Sequence, residues 1–561
     1  MNRNTNTRFA LNPTRLDMSR SRFARNSSYK TTFNVGDLVP FYVDEVLPGD
    51  TFDIKTSKVV RMQTLLTPMM DNLYLDFYWF FVPNRLTWSH WRELMGENSQ
   101  SAWIPEVEYS VPQCTAPEGG WNIGTIADYM GIPTGVSNLS VSALPFRAYS
   151  LICNEWFRDE NLLDPLNIPV TDANLAGSNG SNYITDCVAG GMPFKCAKYH
   201  DYFTSALPAP QKGPDVTISV LDGNNLPVRA LNAHVPGYKN NADVGDMYPM
   251  MLGSIDLATD KFGSTRLGIG VESPTLGSNY VFQDFEGNSG TPATPINLWA
   301  LTDGNLPVAT INQLRTAFQI QKLYERDARG GTRYIEILKS HFGVTSPDAR
   351  LQRPEYLGGS RIPININQVI QSSATQSSGT PQGNTAAYSL TTDTHHDVKK
   401  SFVEHGFILG LMVARYDHTY QQGLERFWSR KDRFDYYWPV FANLGEQAIL
   451  NKEIYAQGTD EDEEVFGYQE CWADYRYKPS RVTGEMRSSA AQSLDVWHLA
   501  DDYSQLPALS SSWITEDSAT VDRVLAVSQR VSNQLFCDIY IRNLTTRPMP
   551  LYSIPGLIDH H

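Results

Sequence analysis

The sequence is poor in the features that define several common classes of protein. Six cysteines are spread over 561 residues without a CxxC spacing, and only 19% of the residues are charged. Such sparse cysteines predict reduced thiols rather than a disulfide framework or a zinc knuckle. The chain has no run of 18 apolar residues, so no helical membrane span is expected. The basic N-terminus is not followed by an apolar stretch, so a signal peptide is not expected either.

The chain also lacks the short motifs of enzymes and nucleotide-binding proteins. No GxSxG, HExxH or GxxxxGK[ST] pattern is present. A glycoside hydrolase needs two carboxylates about 5–10 Å apart across a cleft, but 61 acidic residues give no basis for choosing a pair. We therefore predict a protein that is not an enzyme, with no catalytic residue, no cofactor and no metal site.

What the sequence does have is a high content of aromatic residues and turn formers. It contains 12 Trp, 28 Tyr and 24 Phe together with 33 Pro and 39 Gly. Aromatic residues favour strands, whereas proline and glycine favour turns and loops. This composition predicts a mainly β protein with many long connections, and the length suffices for one large core or for several domains.

The net charge of −15 is distributed very unevenly. Residues 1–30 carry seven cations and one acid, about +6, which leaves about −21 (−15 − 6) for the remainder. The cations are Arg3, Arg8, Arg15, Arg20, Arg22, Arg25 and Lys30. Interspersed with Phe9, Phe23 and Tyr29, they suit sequence-independent binding of a single nucleic-acid strand, in which cations follow phosphates and rings stack on bases. The alternative is a solubilising tail, and in either case residues 1–32 are predicted to be an arm that orders only against another surface.

Strand patterns occur at both ends of the remaining chain, in residues 33–205 and 311–561. The run "FYVDEVLPGDTFDIKTSKVVRMQTLL" (41–66) predicts a strand, a turn and a second strand. The run "DNLYLDFYWFFVPNR" (71–85) alternates with both faces largely apolar, which predicts a strand buried on both sides. Near the C-terminus "NQLFCDIYIRNLTTRPMP" (533–550) alternates as well. Strands from both ends must pair, so an antiparallel jelly roll with large loop insertions and several helices is the predicted fold.

Residues 206–310 differ from the rest in composition. They contain five Lys/Arg, ten Asp/Glu and twelve Gly, with only short apolar runs. We predict an acidic insertion of short strands and loops that makes few core contacts and projects outward. A segment rich in Gly, Asn and Thr also suits glycan binding, so a host-adhesion protein is the alternative to a purely structural one.

The clearest helical patterns lie on either side of this insertion. Residues 145–164 place apolar side chains at helical spacing, and "TINQLRTAFQIQKLYERDAR" (310–329) predicts a long helix that the Gly330-Gly331 pair ends. Thr332 is predicted to cap a second helix, "RYIEILKSHFG", which its final glycine closes. A phosphate-binding loop is not expected, because the glycine pair lies between two helices and no Lys-Ser/Thr pair follows it.

Two polar clusters raise the question of a metal site. The acidic run "DEDEE" (460–464) lacks the glycine and the alternating ligands of an EF-hand loop. The adjacent pair His395-His396 does not suit a shared ion, because neighbouring residues on a strand point to opposite faces. We predict a solvated charge run and surface loop histidines.

Several longer runs are similar to sequences of one family. They are "SYKTTFNVGDLVPFYVDEVLPGDTF" (28–52), "TLLTPMMDNLYLDFYWFFVPNRL" (64–86), "YERDARGGTRYIEILKSHFGVTSPDARLQRPEYLGGSRIPI" (324–364), "GFILGLMVARYDHTYQQGLERFW" (406–428) and "YRYKPSRVTGEMR" (475–487). In these runs the chain resembles the major capsid proteins of gokushoviruses, the small single-stranded-DNA bacteriophages of the Microviridae. The runs cover most of the chain outside residues 206–310, which match only in position and character.

The resemblance implies a structural protein of the virion, synthesised in the cytoplasm of a bacterial host. Its fold would be an eight-stranded jelly roll, and sixty copies would form a T=1 icosahedral shell around circular single-stranded DNA. Residues 206–310 would form protrusions at the threefold axes that meet a host receptor. The N-terminal cations would face the interior and contact DNA or a small basic internal protein. Independently of the resemblance, the cations Arg326, Arg329 and Arg333 are candidates to pair with carboxylates of a neighbouring subunit or to contact DNA on the inner wall.

Overall fold

The computed structural model describes residues 19–97, 108–217, 310–373, 379 and 381–552, together with the backbone of short strands between residues 228 and 300. Within these ranges no helix is long and apolar enough to cross a membrane.

Strands outnumber helices among these elements. The strands are β1 Ser21–Ala24, β2 Ser27–Phe33, β3 Val39–Val46, β4 Thr51–Met62, β5 Leu73–Pro83, β6 Gln113–Thr115, β7 Ser140–Ser142, β8 Leu175–Ala176, β9 Val228–Ala230, β10 Met251–Asp256, β11 Lys261–Arg266, β12 Gly268–Val271, β13 Tyr280–Gln283, β14 Thr294–Pro295, β15 Leu298–Ala300, β16 Glu355–Pro363, β17 Ile366–Ile370, β18 Thr385–Ser389, β19 Thr391–Ser401, β20 Gly406–Tyr416, β21 Glu446–Leu450, β22 Val465–Glu470 and β23 Leu535–Arg547. The α-helices are α1 Asn84–Thr87, α2 Trp91–Leu94, α3 Ile126–Tyr129, α4 Leu144–Ile152, α5 Ile311–Gly330, α6 Tyr334–Phe342, α7 Asn451–Ile454, α8 Ser511–Ile514 and α9 Ala519–Asp522.

The chain divides into two compact units. The larger joins Met1–Lys212 to Tyr324–His561, and the smaller is Gly213–Leu323. In the smaller unit β10 pairs with β11 and β14, β12 with β13, and β9 with β15, all antiparallel. These short strands lie within the predicted insertion, residues 206–310, whose outward projection stays a prediction.

In the larger unit, five strands from distant parts of the chain form one antiparallel sheet. β23 lies between β4 on one side and the consecutive strands β1 and β2 on the other, and β19 lies beyond β4. β23 pairs with β4 over its length, from Leu535 opposite Met62 to Thr546 opposite Thr51. We call this the five-stranded sheet.

A second antiparallel sheet has the strand order β16, β5, β20, β3 and is called the four-stranded sheet. Its central pair joins β5 to β20 with Leu73 opposite Tyr416 and Pro83 opposite Gly406.

The inner faces of the two sheets pack against each other. They contribute to one hydrophobic core, whose members include Phe41, Phe52, Ile54, Val60, Leu75, Phe77, Trp79, Phe81, Ile408, Met412, Leu535, Cys537, Ile539 and Ile541. Contacts between the sheets are direct, since the Lys58 ammonium of β4 lies 4.2 Å from the centre of the Phe77 ring of β5. The architecture is therefore a sandwich of antiparallel sheets, as the mainly β composition predicts.

β5 is buried on both sides, as its sequence predicts. Leu75, Phe77 and Trp79 face the core between the sheets, whereas Phe80 and Val82 belong to a second core cluster with side chains of α4. α4 and its neighbouring loops thus cover the outer face of the four-stranded sheet.

α4 is shorter than the helix predicted over residues 145–164. It ends at Ile152, and a π-turn, Cys153–Phe157, follows it. The π-turn lets Trp156 and Phe157 pack on the Phe80 ring, with ring centres 5.4 and 6.0 Å from it. Tertiary packing of these aromatic side chains therefore takes the place of a further helical turn.

Two local predictions are wrong in part. The predicted arm, residues 1–32, includes β1 and most of β2, both paired with β23; residues 1–18 lie outside the described part of the chain. His395 and His396 lie in strand β19 and not in a surface loop. Both strands have a largely polar sequence, so the sequence pattern did not predict them. Only one face of each strand packs, and its pairing partner is distant in the chain.

Candidate functional site

Four of the seven N-terminal cations lie in the described part of the chain, and they fall into two groups. Arg25 donates two hydrogen bonds to the Asp44 carboxylate, at 2.6 and 2.8 Å, and so ties the corner between β1 and β2 to β3. Arg20 donates to the carbonyl of Gly49. These two arginines therefore have partners within the fold.

Arg22 and Lys30 are more open. Arg22 lies 3.9 Å from Asp53, and its side chain is 60% exposed. Lys30 lies 3.3 Å from Asp538, with both side chains more than half exposed. Exposed ion pairs of this kind contribute little to stability, so both cations are available to an external anion. The other three predicted contacts, Arg3, Arg8 and Arg15, lie outside the described residues.

The two helices around the glycine pair form as predicted. Gly331 has a φ of +90° just after α5, and Gly343 has a φ of +68° as the C-terminal cap of α6. The predicted N-cap is wrong by one residue, because Arg333 occupies that position. Thr332 instead donates from both its amide and its hydroxyl to the Glu160 carboxylate.

Arg333 has its partners in its own chain. Its Nη1 lies 2.5 Å from Glu160 and 3.3 Å from Glu336. Its Nη2 donates to the carbonyls of Asn154 and Arg158, at 2.7 and 3.0 Å. The Glu160 side chain is only 8% exposed, so Arg333 neutralises a nearly buried charge and fixes α6 to the segment that follows α4.

Arg329 also neutralises a nearly buried carboxylate, whereas Arg326 does not. Arg329 pairs with Glu446, whose side chain is 1% exposed, and lies 3.7 Å from Glu470. Burial raises the pKa of Glu446, and the neighbouring Arg329 opposes that rise. Arg326 is exposed and forms no ion pair with any residue that the structure describes. Of the three predicted contacts, Arg326 is the one without an ion-pair partner among the described residues, and its partner stays a prediction.

The acidic run and the histidines have ordinary partners. Asp462 accepts hydrogen bonds from the backbone amides of Gln457 and Gly458, and Lys452 lies 2.7 Å from Glu463. His396 Nε2 lies 2.9 Å from Asp53 on the neighbouring strand. Across the described ranges, no group of three or more His, Cys, Asp and Glu side chains is arranged to hold a metal ion.

The six thiols are buried and unpaired. Burial raises the pKa of Cys114 to about 11 and that of Cys196 to about 12. A thiol with so high a pKa is protonated near neutral pH and is a poor nucleophile. These cysteines therefore act as small core residues.

One apolar exposed surface was not predicted from the sequence. We call residues 424–444 the aromatic segment; it contains short 3₁₀ turns, and its exposed apolar side chains are Leu424, Phe427, Trp428, Phe434, Tyr436, Tyr437, Trp438, Val440 and Leu444. Val440 is 83% exposed and Trp428 is 67% exposed. Concentrations of exposed apolar residues mark interaction sites. The sequence signal was present as a dense run of aromatics, but a run of this kind fits a core equally well.

A cleft of about 610 Å³ lies beside the aromatic segment. Phe427, Trp428, Tyr475, Lys478 and Arg481 are among its lining residues. Aromatic and arginine side chains together are typical of protein interfaces. The aromatic segment and this cleft are therefore the strongest candidates for contact with another protein surface.

Comparison with known proteins identifies the family. A family model described as "Capsid protein (F protein)" matches residues 14–557. The chain belongs to this family of phage capsid proteins. Capsid protein VP1 of Chlamydia phage 1 is 43% identical over 592 residues, covering 98% of this chain and 97% of the relative. Capsid protein VP1 of Spiroplasma virus 4 is 45% identical over 529 residues, covering 94% and 93%, and that of Bdellovibrio phage phiMH2K is 43% identical over 540 residues, covering 96% and 95%.

These relatives confirm the predicted resemblance to gokushovirus capsid proteins. The protein is a structural component of a phage capsid, and the prediction that it is not an enzyme is confirmed by this membership.

Proposed function

We propose that sixty copies of this capsid protein assemble into a T=1 icosahedral shell around circular single-stranded DNA, with an eight-stranded jelly roll as the structural unit. The strand order supports the jelly roll. One sheet runs β2, β23, β4, β19 and the other runs β3, β20, β5, β16. Taken in chain order, successive strands of this set lie in opposite sheets, except that β5 and β16 are neighbours in the four-stranded sheet. This connectivity is that of a jelly roll, with β1 an added edge segment.

The aromatic segment is the observation that carries the proposed assembly. A closed shell requires several different contact patches on one chain, and large apolar side chains in the middle of such patches dominate the binding energy. Trp428 and Trp438, 67% and 49% exposed, are surfaces that a soluble monomer has no reason to leave open.

The experiment that tests assembly is electron microscopy and light scattering of the purified full-length protein. Shells or pentamer-sized intermediates are the expected result. A protein that stays monomeric at high concentration, under conditions that assemble a control capsid protein, would contradict the proposal.

Inside the shell, the N-terminal cations contact DNA or a small basic internal protein in this proposal. Sixty arms of about +6 neutralise only part of a genome of thousands of nucleotides, so further cations are required. Because Arg20 and Arg25 have partners within the fold, the variant that tests this contact replaces Arg15 and Arg22 by Gln. Reduced DNA per particle supports the proposal, and unchanged DNA content contradicts it.

We also propose that residues 206–310 protrude at the threefold axes and contact the host surface. The separate compact unit Gly213–Leu323 supports an insertion that can be removed without opening the sandwich. Deletion should then spare shell formation and abolish attachment to host cells. Loss of assembly instead would make the insertion part of the shell. Binding of the isolated particle to host glycans, with no contribution to assembly, would favour the alternative of a glycan-binding adhesin.

A further inference from the structure

Among the described residues, none forms a layer over the outer face of the five-stranded sheet like the one that covers the four-stranded sheet. Along β4 the residues alternate strictly between buried and partly or fully exposed. Ile54, Thr56 and Lys58 point into the sandwich, so Lys55 and Ser57 point outward. The described part of the chain lays no helical layer over this face comparable to the α4 layer on the other sheet.

Cations are concentrated on this open face. Their positions follow from the strand register, and the exposed Lys and Arg side chains are Arg22, Lys30, Lys55, Arg61, Lys399 and Arg542. The acids on the same face are Asp53 and Asp538. Six cations against two acids give a net charge of +4 (6 − 2), on a chain whose net charge is −15.

Some of these cations oppose each other directly. Lys55 pairs across the sheet with Arg542 on one side and with His396 on the other. Like charges in directly opposite positions destabilise a sheet. Neither Lys55 nor Arg542 forms an ion pair within the described ranges, and the same holds for Arg61 and Lys399. An external anion would relieve this repulsion.

Aromatic side chains lie among the cations. Tyr540 stands between Arg542 and Asp538 on β23 and is 49% exposed. Phe536, half-buried, lies opposite Arg61. A shallow groove of about 640 Å³ runs over this end of the face, with Lys30 and Arg61 among its lining residues and Asp128 and Asp538 as its acids. Cations that follow a backbone, combined with aromatic rings that stack on bases, are the features of sequence-independent single-strand binding.

We propose that the open face of the five-stranded sheet is a docking surface for single-stranded DNA, with Lys55, Arg61 and Arg542 contacting phosphates and Tyr540 stacking on a base. The inference rests on the proposed packaging function and names the surface that serves it. It extends the predicted N-terminal contacts, since Arg22 and Lys30 are part of the same face. Charge complementarity favours a polyanion here, and the aromatic rings favour one that carries bases.

The test uses the dissociated full-length protein and a fluorescein-labelled 20-nucleotide oligo-dT, with affinity measured over a range of salt concentrations. The slope of log affinity against log salt is about −0.7 for each phosphate contact on a single strand. The variant Lys55→Gln/Arg542→Gln should therefore flatten the slope by about 1.4. Tyr540→Leu should weaken binding about tenfold at every salt concentration and leave the slope unchanged.

A matched control has the same loss of charge elsewhere. Lys339→Gln/Arg350→Gln removes an exposed Lys and an exposed Arg that lie off the sheet, and its slope should equal that of the wild type. If the control flattens the slope equally, or if the Lys55/Arg542 variant keeps the wild-type slope, the proposed surface is wrong. Should that variant fold poorly by its thermal transition, Arg61→Gln/Lys399→Gln is the second variant with the same expectation.

A competitor separates DNA from an acidic protein surface. Poly-glutamate should bind more weakly than oligo-dT and should be insensitive to Tyr540→Leu. If poly-glutamate and oligo-dT bind equally well and Tyr540→Leu has no effect, the face binds anions or acidic proteins in general, and the DNA proposal is wrong. Shell formation by the same variants is scored separately by electron microscopy, so that failure of the DNA surface is distinguishable from failure of assembly.

Discussion

The imidazole Nδ1 of His418 lies 2.9 Å from the carboxylate of Asp501, and both side chains are almost completely buried. On the other side of the ring, Nε2 lies 3.1 Å from Glu516. Lys198 lies 3.9 Å from Asp501, and Tyr503 donates a hydrogen bond to the same carboxylate. This buried cluster joins the chain just after β20 to two distant loops.

Stability should depend on pH through His418. Burial opposes its charged form, but the Asp501 and Glu516 carboxylates outweigh burial and raise the pKa of His418 to about 9. Because the folded pKa is above the unfolded value of about 6.5, the contribution is complete below pH 6.5 and is lost as pH rises through 9. The expected loss is about 3 kcal/mol, measured by urea unfolding of dissociated subunits between pH 6 and pH 9.5. His418→Gln should flatten this dependence, whereas the exposed His395→Gln should not; parallel curves for wild type and His418→Gln would reject the assignment.

Removing Arg333 should destabilise the fold without changing DNA binding. Arg333→Met leaves the nearly buried Glu160 without its cation, and loss of one partner of a buried pair costs about 3 kcal/mol or more. Arg326→Met, at an exposed position on α5, should change stability by less than about 0.5 kcal/mol. Chemical denaturation measures the change in stability, and titration with oligo-dT measures DNA binding. A weakened DNA affinity with unchanged stability would contradict this prediction and would support Arg333 as a DNA contact on the inner wall.

Replacement of the buried Lys58 should cost less stability when its partner Asp397 is replaced as well. Lys58 is fully buried, with Nζ 3.3 Å from Asp393 and 3.7 Å from the fully buried Asp397. Lys58→Met should lower the free energy of unfolding by about 3 kcal/mol, because Asp397 then lacks a cation. Adding Asp397→Asn should recover part of that loss. A double variant that is less stable than Lys58→Met would show that Asp397 has another role in the core.

The aromatic segment should matter to assembly and not to folding. Trp428→Ser/Val440→Ser changes two exposed side chains, so the free energy of unfolding of the subunit should stay within about 0.5 kcal/mol of the wild-type value. Shell yield by light scattering should fall strongly, because apolar anchors are lost from the contact. Val403→Ser, an exposed valine outside the segment (87% exposed), is the control. Normal shell yield in the double variant would remove the segment from the assembly surface.

Sequence patterns predict the structure correctly wherever the conformation of a residue depends on its neighbours along the chain. The double-sided burial of β5, the alternation of β23 from Leu535 to Ile541, and the glycine that closes α6 are confirmed, because strand period, helix period and left-handed backbone are local properties. Strands β1 and β19 were missed, since their polar residues become strand residues only through partners far away in the chain.

The charged residues show most clearly the difference between what the sequence determines and what the tertiary structure decides. The sequence by itself determined that the protein has a basic N-terminal segment, a mainly β composition and the family to which it belongs. Only the tertiary structure decided which cations are committed inside the fold, such as Arg25, Arg329 and Arg333, and which lie on an open face, such as Lys55 and Arg542. The reason is physical: the partner of a charge is chosen by distance in space, and strands paired across about 480 residues of chain bring together side chains that no local pattern relates.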